Sequence, residues 1–258
     1  MSPTDPLLQP YRLKHLMLRN RFMSTAHEPA YTEDGIPKER YRLYHEEKAK
    51  GGIALTMIGG SSVVSQDSPQ AFGNIQLWRD EVVPHLRALT DAVHSHGAAV
   101  MIQITHLGRR TSWSKEEWLP VLAPSAVREQ AHRAFPKAIE EWDIARIIRD
   151  YADAAERCKA GGLDGLEFEM YGHLIDQFWS PATNQRSDAN LVRATNTLIE
   201  GVEWGDPRIV GMGVAASPRK PVQALSPGTP LQIRRMAAAD APRTAKGNIS
   251  VPLVRRAI

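Results

Sequence analysis

The chain has 258 residues, 42% hydrophobic and 24% charged, enough for one large domain or two small ones with a core. Its single cysteine, Cys158, excludes an intramolecular disulfide and a cysteine-held zinc or iron–sulfur site within the chain. No apolar run reaches membrane-spanning length, and the opening MSPTDPLLQPYRLKH lacks the basic-then-apolar shape of a signal peptide, so the expectation is a soluble cytoplasmic protein without a membrane partner. The net charge of +3 is split. Positions 1–188 carry 22 Lys+Arg against 25 Asp+Glu (−3), and positions 189–258 carry 10 against 4 (+6). A basic tail can touch nucleic acid or anionic lipid, but no recognised nucleic-acid module or aromatic interleaving accompanies it, and a tail that is simply basic is the plainer reading.

In chain order, four strand-then-helix units are legible. RNRFMSTAH (19–27) reads as the first strand. KERYRLYHEEKAK follows as a helix closed by Gly51 and Gly52. The apolar run IALTMIGG (53–60) suits a strand covered on both faces. Asp80 is placed to cap the next helix, with Pro84 tolerated in its first turn and Val83, Leu86, Leu89 and Val93 as its apolar stripe. AAVMIQIT (98–105) is the third strand. Asp143 is placed to cap a helix with Ile144, Ile147, Ile148, Tyr151, Ala155 and Cys158 at helical spacing, and LDGLEFEM is the fourth strand.

Alternating strands and helices imply parallel strands with right-handed crossovers, in an open doubly wound sheet or a TIM (β/α)8-type barrel. An open nucleotide-binding sheet wants a glycine-rich turn after its first strand, and STAHEPAY has none. Polar residues instead crown all four strands: Thr25 and His27, Ser61, Gln103 and His106, Tyr171 and His173. Barrel enzymes place their chemistry at that end. The fold class is therefore α/β, a barrel with the first four βα units evident over 1–188.

Positions 189–258 lose the pattern. They hold 11 Ala, 8 Arg and 7 Pro, and no helical stripe or strand period persists. A frameshifted or truncated gene product accounts for such a composition, and a genuine disordered tail is the alternative. IVGMGVAAS (209–217) mimics a dinucleotide fingerprint, but Pro218 follows where that motif needs a helix.

Seven pieces come in order at family spacing: PLLQPYRLKHLMLRNRFMSTAH, DGIP, YHEEKAKGG, QITHLGRR, LAPSAV, YADAAERCKAGGLDGLEFE and DQFWSPATNQRSD. On these, positions 6–188 resemble the N-terminal half of the old yellow enzyme family of FMN-dependent NADH:flavin oxidoreductases. The resemblance is nearest the branch with trimethylamine dehydrogenase, dienoyl-CoA reductase and N-methylproline demethylases, and YGHLIDQFWSP points to amine demethylation. It implies FMN over the strand ends, with NAD(P)H or a small-molecule substrate as hydride donor. After NQRSD the family continues Glu/Asp-Tyr-Gly-Gly-Ser, where this chain has ANLVRATNTL.

Gln103 offers an amide donor and acceptor that fit the pyrimidine edge of an isoalloxazine ring, a contact the resemblance also implies. It further implies backbone approach to the flavin at Thr25, Ala26 and His27 and at Gly60, with His27 open to a substrate-side role. Tyr171 and His173, two apart, face the same way in extended backbone. The resemblance makes them the residues that orient substrate or supply a proton, although EMYGHL is one residue shorter than the usual family spacing. Glu167 and Glu169 share a face and could do acid–base work, or one could pair with a barrel arginine. No metal site is expected, since His94 and His96 sit at a helix end. Two functions result: an FMN oxidoreductase, or a catalytically inactive half-barrel fragment lacking the phosphate-binding loops of later units. Homo-oligomerisation is left open.

Overall fold

A computed structural model describes residues 5–68, 73–111, 119–131, 133–187 and 210–211, all within one compact unit, Met1–Gly211. Near its start YRLKHLML folds back on itself. Strands β1 (Tyr11–Leu13) and β2 (Leu16–Leu18) pair antiparallel around a two-residue turn with Lys14 at φ 51°. Three residues per strand are too few to carry a period-2 signal, and the sequence reading has no hairpin here.

Positions 19–27, expected as the first strand, lie beside the sheet but hold to it by isolated bridges, Met23 to Leu55 and His27 to Ile58. The regular ladder breaks because a side chain enters it: the amide of Met57 donates to Ser24 Oγ at 3.3 Å. The chain then runs through helix α1 (Glu39–Lys50), strand β3 (Leu55–Val63), helix α2 (Val82–Ser95) and strand β4 (Ala99–Thr105). After β4 comes an excursion with a two-residue parallel pair, β5 (Leu122–Ala123) and β6 (Lys137–Ala138). Helix α3 (Glu141–Ala160), strand β7 (Gly165–Phe168) and the short helix α4 (Leu174–Trp179) complete the run.

Two helix starts differ from expectation. Glu81 occupies the N-cap position of α2 without a side-chain capping hydrogen bond, and the Asp80 carboxylate accepts from Arg157 Nε at 2.6 Å instead. Helix α3 begins before Asp143, which works from inside the first turn by accepting the Glu140 amide at 3.0 Å.

The main sheet has the order β3–β4–β7–β8, all parallel, where β8 is Val210–Gly211. Val210 and Gly211 pair with Gly165 and Leu166, so the ladder gains a strand beyond position 188, where none was expected. An apolar pair beside glycine, with Pro207 and Pro218 nearby in sequence, is too short to show a strand period. The rest of the predicted irregular tail, 189–258, lies outside the described residues, as does most of the IVGMGVAAS segment.

Strand alternation sorts the side chains. Ile58, Val100, Ile102, Ile104, Leu166 and Phe168 join Leu86, Leu89 and Val93 of α2 and Ile147, Tyr151, Ala155 and Cys158 of α3 in one core. Each fully buried aliphatic side chain there contributes about 1.5–3 kcal/mol. Met57, Met101, Gln103, Glu167 and Glu169 therefore point to the opposite, inner face. At the end where the strands begin, Arg19 ties the layers together. Its guanidinium donates to the carbonyls of Ala49 at 2.7 Å, Ile53 at 2.8 Å and His96 at 2.6 Å, which are two helix ends and the approach to β3.

Candidate functional site

Gln103 lies on the inner face of β4, 6% exposed, with a neighbour strand on each side. On one side it is in register with Glu167 of β7, and its Nε2 donates to Glu167 Oε1 at 3.2 Å. On the other side β3 bulges. Ile58 pairs with Ile102 and Ser62 with Ile104, so positions 59–61 all oppose Gln103. The bulge approaches closely: a Cβ at Gly59 would stand 3.2 Å from the Gln103 carbonyl oxygen. At Gly60 a Cβ would meet Glu28 Cβ and N at 2.8 Å, so the glycine there is required by the chain leaving the first strand position.

That chain brings Thr25 and His27 to the surface, with Ala26 half-buried between them. His27 bridges to both Ile58 and Gly59, which puts it at the rim of the bulge. Behind it stands Glu28, whose carboxylate accepts the Ala30 amide at 2.8 Å and the Tyr41 hydroxyl at 3.4 Å. Burial pushes its pKa up to about 7. His27 and Gly60 lie beside the bulge that opposes Gln103, and Thr25 and Ala26 lead into it.

Tyr171 and His173 do not share a face. The backbone between them is a turn with Gly172 at φ 73°, so the premise of extended chain fails. Tyr171 is 81% exposed with the Arg110 guanidinium 5.6 Å from its ring centre, whereas His173 is 8% exposed. His173 Nδ1 lies 2.9 Å from Thr105 Oγ1, and the residue caps α4. Burial, with the Arg110 and His106 charges behind it, depresses its pKa to about 4, so the imidazole is neutral at pH 7. Glu167 and Glu169 are both raised, chiefly by burial. Glu169 is the carboxylate that feels an arginine, Arg110, and its Oε1 also accepts the Tyr171 amide at 2.8 Å.

His106, read from the sequence as a strand-end polar group, faces away from the inner site. It is fully buried, with Nε2 3.1 Å from Asp67 Oδ1. Asp67 also accepts from Ser65 Oγ at 2.6 Å and from Arg146, holding the loop after β3 to α3. The His106 and Ser65 hydrogen bonds and the Arg146 charge outweigh the desolvation and hold the Asp67 pKa well below its usual range. The sequence reading missed this network, because its members lie some 40 residues apart and none forms a spacing motif. It also missed α4, whose Gln177 staples the loop after β4 by accepting the Arg109 amide at 3.1 Å and donating to Leu107 O at 3.1 Å. Among the described residues no group of three His, Cys, Asp or Glu could hold a metal ion, and no helix is long and apolar enough to cross a membrane.

A model of the NADH:flavin oxidoreductase / NADH oxidase family matches residues 6–191. A Rhizobium meliloti (strain 1021) protein named "Probable N-methylproline demethylase" is 68% identical over 183 residues, 71% of this chain and 27% of that protein. A "Multifunctional alkene reductase/demethylase OYE" of Caballeronia cordobensis is 55% identical over 222 residues, 83% of this chain and 33% of its own. The chain spans about a third or less of the length of these curated relatives. Among solved structures, morphinone reductase in complex with tetrahydroNAD superposes with a TM-score of 0.73 at 23% identity, over 81% of this chain and 63% of that one. An Old Yellow Enzyme from Pichia sp. AKU4542 gives 0.72 at 22% identity, over 81% and 59%. At such identity the likeness is one of fold, and it agrees with the α/β architecture of parallel strands described above.

Proposed function

This chain belongs to the NADH:flavin oxidoreductase / NADH oxidase family, and on that premise we propose that the end of its sheet where Gln103 lies binds FMN in an oxidoreductase acting on a small molecule. One observation carries the reading: an inward amide, Gln103, flanked by a glycine bulge and faced by a carboxylate, at the strand end where Thr25 and His27 are open to solvent. These residues fit the flavin's polar ring edge, which needs both a donor and an acceptor. Bound FMN supplies two-electron chemistry, accepting hydride from NAD(P)H or from an oxidisable substrate.

The chain's own residues would do the rest. Gln103 meets the ring edge, and backbone at Thr25, Ala26, His27 and Gly60 lines the approach. Tyr171, exposed beside Arg110, is the substrate-facing group. His173, neutral and held against Thr105, is the residue that fixes the turn carrying Tyr171. Relatives named as demethylases and an alkene reductase support two substrate classes, N-methylated amino acids and activated alkenes.

The test is purification of the full chain followed by FMN titration. A yellow protein with shifted flavin absorbance, bleached anaerobically by NAD(P)H or by N-methylproline, is expected. A soluble, folded but colourless protein that leaves FMN fluorescence unchanged would overturn the reading in favour of an inactive fragment.

A further inference from the structure

The strand GLEF and the residue after it place Glu167 and Glu169 on the inner face, and the function proposed above gives neither a task. Both carboxyls are half-buried, and burial raises the pKa of each, so keeping them there has a cost. Their shared neighbour is the Gln103 amide. Glu167 is its register partner and takes Nε2 at 3.2 Å, and Glu169 also forms a hydrogen bond with the Gln103 side chain.

The chemistry of the groups is asymmetric. An ionised carboxylate only accepts, and the glutamine amide donates only from its nitrogen. Carboxylates on and just after β7 therefore turn the Gln103 nitrogen toward β7 and its oxygen away from that strand. The bulge at 59–61 packs against the Gln103 backbone on the opposite side, which fixes the main chain from which the amide projects.

We propose that Glu167, supported by Glu169, is a positioning residue that sets which end of the Gln103 amide faces the ligand. The ligand edge met by Gln103 then carries an N–H donor, such as the imide between the two carbonyls of a flavin pyrimidine ring. The identity of that ligand rests on the function proposed above, whereas the orientation of the amide does not.

Two measurements on the full chain separate the ideas. The first needs no flavin. In the 15N-labelled protein, the two Nε2 protons of Gln103 should be well separated in chemical shift, assigned by comparison with Gln103→Leu. Glu167→Leu should collapse that separation. Glu167→Gln, whose side-chain oxygen can still accept, should keep it and shows that the site remains folded. A Gln103 resonance pair unmoved in Glu167→Leu overturns the proposal. The second measurement is binding of FMN and of FMN methylated at the imide nitrogen. Glu167→Leu should weaken FMN about 10-fold while Glu167→Gln stays within about 3-fold, as expected for loss of one ordering hydrogen bond. The penalty for imide methylation should be about 10-fold in the unmodified chain and vanish in Glu167→Leu. On a Gln103→Leu background, Glu167→Leu should have no further effect, and a residual loss as large as the first overturns positioning through Gln103. If the unmodified chain binds no FMN, the function reading fails and the resonance measurement alone decides the orientation.

Discussion

The two ends of the sheet use polar groups in opposite ways. Where the strands begin, they are consumed by the fold. Arg19 spends its guanidinium on the carbonyls of Ala49, Ile53 and His96, and Asp164 accepts both His94 Nε2 at 2.8 Å and the Val100 amide at 2.7 Å. Where the strands stop, carboxyls sit with raised pKa values at Glu28, Glu167 and Glu169, and His173 with a lowered one, each driven first by desolvation. Groups whose pKa values are displaced by burial cluster at the end where barrel enzymes place their chemistry, whereas the groups at the other end are taken up by structural hydrogen bonds.

The contrast can be broken from either side. The largest expected effect is at the stability end. Arg19→Ala leaves several carbonyls without their donor and should cost about 3 kcal/mol or more, read as a lower urea midpoint with unchanged FMN affinity per folded molecule. A variant that unfolds no more easily but loses FMN would reverse the assignment of the two ends.

The next effect is acid sensitivity. His173 has a folded pKa of about 4 against an ordinary 6.5, so the unfolded chain binds its proton more tightly. Its stabilising contribution is complete above pH 6.5 and is lost as pH falls toward 4, about 2–3 kcal/mol in all. Buried His45, lowered to about 3, acts in the same direction. His173→Asn should flatten this part of the stability curve, and a curve that keeps its full slope would show the imidazole titrating freely.

Glu28 has the opposite sign. Its folded pKa of about 7 lies above the ordinary 4.5, so its contribution is present below pH 4.5 and fades as pH rises through 7. Allowing for its partial exposure, the loss is about 1–2 kcal/mol. Glu28→Gln should remove that decline, making the variant relatively more heat-stable at pH 8 than at pH 5. The smallest stability change belongs to the rim. Tyr171→Ala should alter stability by less than about 0.5 kcal/mol, since the ring is exposed, while raising KM for the substrate several-fold.

These contrasts also explain what the sequence made legible. Helices α2 and α3 were readable because Leu86, Leu89 and Val93, and Ile147, Tyr151 and Cys158, repeat at the helical period, and the packed core preserves that period. The positions of Gln103 and Gly60 at the strand ends are legible from their places in the strands. The common direction expected for Tyr171 and His173 is not met, because Gly172 turns the chain where alternation assumes it is straight. The Asp67, His106 and Arg146 network left no local trace, since distant positions meet there only through the fold. Helix α4 has six residues, under two turns, too few to display a stripe. Strand β8 has two.

The surplus residues of β3 between Ile58 and Ser62 have a consequence for how this architecture can vary. A strand two residues too long for its neighbour must lift peptide groups out of the ladder, and it does so directly across from Gln103. Excising Gly59 and Gly60 would restore even pairing, straighten the lip and pull His27 out of its bridge. Specificity at this mouth could thus be redrawn by changing a strand's length while every side chain keeps its chemistry.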